Sequence, residues 1–150
     1  MIKLPPHFLE DLSVGQIFKA GSFTLDEASI TDFADRYDPQ YFHLDPEAAK
    51  NSLFAGLAAS GWQVAVLTMR QMVESMPIAG GLIGAGCELA WPRPTRPGDV
   101  LEVESEVVEI TPSRSRPDRG MVSVKTVTRN QHGEIVQTIT SKMVVPRRPS

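Results

Sequence analysis

Asp38 and His43 stand five positions apart in the stretch ADRYDPQYFHLDP, with Pro39 between them. A carboxylate and an imidazole differ in proton affinity, so together they can hold one water and move its proton. Pro39 is expected to keep this stretch out of a helix. Downstream, the small-residue run Phe54-Ala55-Gly56-Leu57-Ala58-Ala59 ends in Ser60-Gly61 and opens the longest apolar segment of the chain. The start of a helix there offers unpaired N–H groups and the positive end of a dipole, which stabilise a developing oxyanion. An acid/base pair on a loop aimed at such a helix start is a catalytic layout.

The elements that must position the pair are legible on either side of it. Gln16–Phe23 has the short apolar and aromatic character of a first strand. Thr24-Leu25-Asp26-Glu27 matches a capping box, with Thr24 as N-cap, and predicts a helix with Ile30, Phe33, Ala34 and Tyr37 on one stripe. That helix should stop near Tyr37, because the residue before a proline avoids the helical region. Asp45-Pro46-Glu47 predicts a second, short helix through about Asn51, with Asp45 as cap. Gly61–Met76 predicts the long helix, apolar all round in its first half and amphipathic in its second, closed by Pro77. Such a pattern predicts a helix wrapped by a sheet.

The rest predicts strands. Gly81–Trp91 is a candidate central strand, and Cys87 within it a small buried hydrophobe. PRPTRPGD is a turn-rich connection, and Leu101–Ile110 alternates apolar and acidic residues until the phase slips at Val107-Val108, the sign of a bulge. A basic loop, TPSRSRPDRG, leads to a strand over Met121–Arg129. A hairpin turn over Asn130–Gly133 and a last strand over Glu134–Val145 follow. Early helices followed by a meander of strands give an α+β architecture, an antiparallel sheet around one buried helix.

A chain of 150 residues is expected to form one domain, after an irregular lead-in over Met1–Val14. A net charge of −3 argues against a nucleic-acid partner. No apolar run approaches the roughly 20 residues that span a bilayer. The opening residues lack the apolar core of a secretion signal, and one cysteine forms no internal disulfide. A cytoplasmic location is the expectation.

Asp38-Pro39-Gln40-Tyr41-Phe42-His43-Leu44-Asp45, followed by Phe54-Ala55-Gly56 and Ala59-Ser60-Gly61, resembles the motif of the MaoC-like dehydratases. That family includes the (R)-specific enoyl-CoA hydratases and has the hot-dog fold. The resemblance extends from about Gly15 to Val145, and the turn Arg96-Pro97-Gly98-Asp99 is also similar to hot-dog proteins generally. One departure is Gln40-Tyr41, where many members carry Asn-Pro; this bears on loop shape and acyl preference. The resemblance implies that Asp38 and His43 hold one water and add it to, or remove it from, an enoyl thioester of coenzyme A. One side chain takes a proton from the water while the other helps deliver a proton to the α-carbon. The N–H of Gly61 is the candidate donor to the thioester carbonyl, and the Ser60 hydroxyl orients either Asp38 or the substrate. The coenzyme A thioester enters as substrate; no resident cofactor and no metal are implied. Hot-dog proteins pair two sheets edge to edge, so a homodimer is expected.

Other readings stand beside these. Asp38 also suits a plain turn former and His43 a half-buried, hydrogen-bonded histidine. Tyr41 and Phe42 add bulk beside the site as candidate substrate contacts. Trp62, with Met69, Met72 and Met76, reads first as core, and Trp62 is also a candidate acyl contact. Arg114 and Arg116 are either a solvated loop or contacts to the phosphates of coenzyme A. A non-catalytic acyl-thioester-binding subunit and a thioesterase are the competing functions on this fold. The retained Asp38/His43 pair argues against the first. The lack of an acid at the start of Gly61–Met76 argues against the second.

Overall fold

In the computed structural model, which describes residues 5–150, the alternation after Leu101 becomes β3 (Val100–Pro112). Leu101, Val103, Ser105 and Val107 face inward, and Glu102, Glu104 and Glu106 face out. The phase slip is a bulge, for the pairing with β4 (Arg119–Arg129) skips a residue between Val107 and Glu109. With β1 (Ile17–Thr24), β2 (Ile83–Ala90) and β5 (Ile135–Pro146), they form one antiparallel sheet in the order β1-β3-β4-β5-β2. Residues 130–133 make the expected hairpin turn, closed by Asn130 N–H donating to Glu134 O at 2.9 Å. The predicted basic loop is shorter than expected, because β3 runs on to Pro112 and β4 begins at Arg119.

The long helix is α4 (Gly61–Ser75), and Val64, Thr68 and Met72 turn its inner face onto the sheet. The core falls into two apolar clusters. Val64 packs with Leu25, Ile30, Leu101 and Val136 at one end, and Met72 and Met76 pack with Val107, Val122 and Met143 at the other. Between them runs a buried polar belt in which Thr68 meets Thr128 at 3.0 Å and Ser105 meets Thr126 at 2.9 Å. Buried hydroxyls are tolerated there because each has a partner.

Several expectations change. Gly81–Trp91 is not a central strand: β2 lies at the sheet edge, paired among the described residues with β5 alone, and Cys87 is exposed. The first half of α4 is not enclosed by its own chain, since Trp62, Val66 and Met69 are 60%, 52% and 41% exposed. Both departures share a physical reason. An apolar residue signals that something covers it, but not whether the cover belongs to the same chain.

The cap of α1 (Glu27–Tyr37) is Asp26, whose carboxylate accepts from Ser29 N–H at 2.8 Å, and not Thr24. Thr24 remains in β1, paired with Val100, while Leu25 is tied at both backbone groups to Gly98 and Asp99. The helix cannot begin until that tie ends. The lead-in is not wholly irregular either: Leu9–Asp11 form a 3₁₀ turn, and His7 bridges to Ile78. Its first four residues lie outside those described. Among the described residues no helix is long and apolar enough to cross a membrane.

Candidate active site

Asp38 caps the end of α1, its N–H still donating to Ala34 O at 2.9 Å while φ −150° and ψ 67° turn the chain away. Pro39 forbids another turn. Helicity then resumes sooner than expected: Tyr41–Leu44 form one turn, α2, with His43 on it. A proline blocks the helix before it, not the one after it. The next short helix, α3 (Pro46–Ala49), starts as predicted, with the Asp45 carboxylate accepting from Glu47 and Ala48 N–H.

This path brings Asp38 Oδ2 to 3.3 Å from His43 Nε2, with the histidine 4% exposed. His43 Nδ1 lies 2.6 Å from Ala58 O. A carbonyl only accepts, so Nδ1 carries a proton and donates it there. In the neutral ring Nε2 therefore holds a lone pair directed at Asp38. Two acceptors facing one another are reconciled by a proton on Nε2 or by a water donating to both.

Ser60 sits at the N-cap of α4, yet its hydroxyl makes no cap bond and donates instead to Asp38 Oδ2 at 2.7 Å. Gln40 Nε2 donates to Oδ1 at 2.6 Å. Burial pushes the Asp38 carboxyl up, but the hydrogen bonds from Gln40 and Ser60 and the neighbouring His43 outweigh it and hold the group below its ordinary value. The sequence left Ser60 between Asp38 and substrate; its hydroxyl is on Asp38.

The run before α4 is threaded between α2 and the turn preceding β3. Ala58 N–H donates to Phe42 O at 3.1 Å and Ala59 N–H to Thr95 O at 2.9 Å. The Arg96 guanidinium donates to Leu57 O at 3.2 Å and also to Phe54 O. Ala55 holds a left-handed φ of 54°, a conformation that costs an L-residue about 1–2 kcal/mol. Arg96 pins the carbonyls on either side of that strained turn. It was missed as a site residue, although its Pro-Gly-Asp turn was visible: Asp99 Oδ2 accepts from Arg96 N–H at 2.8 Å.

Asp38 and His43 open onto a cleft of about 650 Å³ that Phe42, Gly61, Trp62 and Val136 also line. Tyr41 does not line it; its ring is 51% exposed and packs on Phe42 at 5.2 Å. Two lining residues had no signal in the sequence, Trp91 and Arg93: the first reads as the end of a strand and the second as part of a turn-rich connection. Arg114 and Arg116 are not brought to the cleft within one chain. They lie beyond Pro112, at the opposite end of β3 from Arg96, roughly 40 Å along a strand of that length. Among the described residues no group of three His, Cys, Asp or Glu is placed to hold a metal ion.

Residues 13–139 match the family described as FAS1-like, dehydratase domain region. The chain is 33% identical over 126 residues to the uncharacterised protein YdeM of Bacillus subtilis (strain 168), covering 82% of this chain and 87% of that one. Among solved structures it is similar to a MaoC-like dehydratase from Rhodospirillum rubrum, with 57% identity, a TM-score of 0.93, and 96% and 99% of the two chains covered. It is also similar to the (R)-hydratase PhaJ1 from Pseudomonas aeruginosa, with 27% identity, a TM-score of 0.74, and 94% and 86% covered. With its sheet, its helix and its Asp/His pair in place, the chain belongs to the MaoC-like dehydratases of the hot-dog fold.

Proposed function

We propose that the protein adds water to, or removes it from, an enoyl thioester of coenzyme A, using Asp38 and His43 on one water. The observation that carries this is the 3.3 Å approach of Asp38 Oδ2 to His43 Nε2 with Nδ1 already committed to Ala58 O. A water bound beside the pair, on its cleft side, donates to both acceptors. As its oxygen bonds to the β-carbon, one proton passes to Nε2 and the double-bond electrons move toward the thioester carbonyl. The imidazolium then returns a proton to the α-carbon, so that H and OH have added across the double bond. Asp38, held ionised, orients the water and stabilises the imidazolium. The developing oxyanion falls to Gly61 N–H at the start of α4, where no intrahelical acceptor exists. Dehydration runs the same steps backwards.

The same reading includes a homodimer. Trp62, Val66, Met69 and Val73 form an exposed apolar stripe on α4, and β2 is a sheet edge that no strand among the described residues covers. Antiparallel pairing of β2 with its copy sets the start of one strand against the end of the other. Ile83, at the start of β2, pairs with Val144, which borders the Arg114 hairpin. In such a dimer Arg114 and Arg116 approach the partner's cleft, where they act on the phosphates of coenzyme A.

The test is hydration of enoyl-CoA thioesters, followed by loss of absorbance, in Asp38→Asn, His43→Ala and the double variant. Each single change is expected to lower kcat by roughly 10²–10⁴. The double variant should be little worse than the poorer single, because groups acting as a unit are not additive. Full activity in a folded Asp38→Asn protein would exclude the mechanism.

A further inference from the structure

Trp91 follows β2 on a segment with no chemical motif, yet three parts of the molecule are shaped around its indole. The first is Gly61. A Cβ built on that glycine would lie under 3.0 Å from three carbons of the indole, so the ring rests directly on the helix start. The second is Trp62, whose ring meets it edge to face at 5.2 Å and 80°. The third is Gln137. Trp91 Nε1 donates to Gln137 Oε1 at 2.9 Å, and Gln137 Nε2 donates to Thr68 Oγ1 at 2.9 Å.

Gln137 is fully buried, an expensive place for an amide unless both its ends are bonded. It faces inward because of a bulge. Arg129 pairs with Ile135 and Thr128 with Gln137, which leaves Val136 as the extra residue. Val136 and Gln137 are consequently both buried, where plain alternation would have turned one of them outward. The indole N–H can only donate, so it fixes which end of the amide faces it and which end reaches the polar belt. The position of Trp91 is thus latched to α4 and β5 through a chain of directional bonds.

We infer that Trp91 is the specificity-determining wall that limits the acyl chain admitted beside the reacting carbons, and that Gln137 is the positioning residue that holds it there. This rests on the acyl-thioester reading for what fills the cleft. The indole occupies space against Gly61, the donor proposed for the thioester carbonyl, and lines the same cleft as Asp38 and His43. An acyl chain extending past the reacting carbons on that side meets a ring that its hydrogen bond prevents from swinging away. The wild type therefore takes short acyl chains.

The experiment measures binding of saturated acyl-CoA thioesters, from butanoyl to dodecanoyl, which cannot be hydrated. It uses the wild type, Trp91→Ala, Trp91→Phe and Gln137→Met. The wild type should bind butanoyl-CoA at least tenfold better than dodecanoyl-CoA, and Trp91→Ala should remove or reverse that preference. Gln137→Met keeps the bulk and loses the acceptor. It should relax the preference in part and weaken the near-ultraviolet dichroism of the coupled indoles. Trp91→Phe reads the same loss of the latch if the alanine variant does not fold. A length profile unchanged in folded Trp91 and Gln137 variants overturns the inference, as does a wild type that binds no acyl-CoA. Turnover separates the two readings: a shifted profile without hydration by the wild type sinks the hydratase alone, and hydration with an unshifted profile sinks only the wall.

Discussion

Ser60 occupies the N-cap of α4 and gives its hydroxyl to Asp38 Oδ2, 22 residues earlier, at 2.7 Å. A serine in that position ordinarily accepts from the second or third N–H of its helix. Here the first-turn donors are left without a side-chain cap and the carboxylate gains a partner. The hydroxyl therefore serves the dyad alone and ties the residue at the helix start to it.

Ser60→Ala should accordingly raise the Asp38 pKa, because a hydrogen bond to the charged form has been removed. Its cost to helix capping should be slight, since no cap bond is lost. We expect kcat to fall about tenfold, in line with the loss of one hydrogen bond to a charged group, with KM nearly unchanged. Steady-state kinetics with a pH profile checks both.

The depressed carboxyl of Asp38 has a defined linkage to stability. A folded pKa below the ordinary 3.8 means that the unfolded chain binds the proton more readily. The contribution is fully present above 3.8 and is lost as pH falls through the lower folded value. Denaturant titrations should show a difference between wild type and Asp38→Asn that shifts against the wild type as pH falls through the region of 3.8 and below. A difference that stayed constant throughout the acid range would contradict the hydrogen bonding described for Asp38.

Arg96 should resist conservative replacement. Its two guanidinium nitrogens hold the carbonyls of Leu57 and Phe54 at once, which a single ammonium cannot reproduce in a fixed fork. Arg96→Lys is expected to destabilise by about 1–3 kcal/mol, the cost of leaving partly buried acceptors poorly paired. Because Phe54 lies 6.1 Å from His43, activity should fall with it. Thermal unfolding and turnover on the same preparation measure the pair of effects.

Val66→Asp would place a charge in the middle of the exposed α4 stripe. In a monomer this is a surface change worth within about 0.5 kcal/mol. In the proposed dimer it should shift the sedimenting species to half the mass. Unchanged sedimentation of a dimeric wild type and its variant would move the interface away from α4.

Much of the scaffold was written locally. The alternation of β3, the slip at Val107, the Asn130–Gly133 turn, the Asp45 cap and the stop of α1 before Pro39 each depend on residues a few positions apart. Sequence spacing reports such features directly. The Asp38/His43 pair was legible for the same reason, its two members lying on one short segment.

What the sequence left open depended on partners distant along the chain. Whether the Ser60 hydroxyl turns to Asp38 or to substrate, and which nitrogen of His43 is free, follow from contacts to Asp38 and Ala58 that only folding creates. Trp91 and Gln137 are 46 residues apart, and nothing local marks either as part of a cleft. The position of β2 at the edge and the bare stripe of α4 were misjudged because apolar character demands a cover without naming it. Tertiary structure decided these points because a side chain's chemistry is set by what it faces, and sequence spacing specifies facing only within one element.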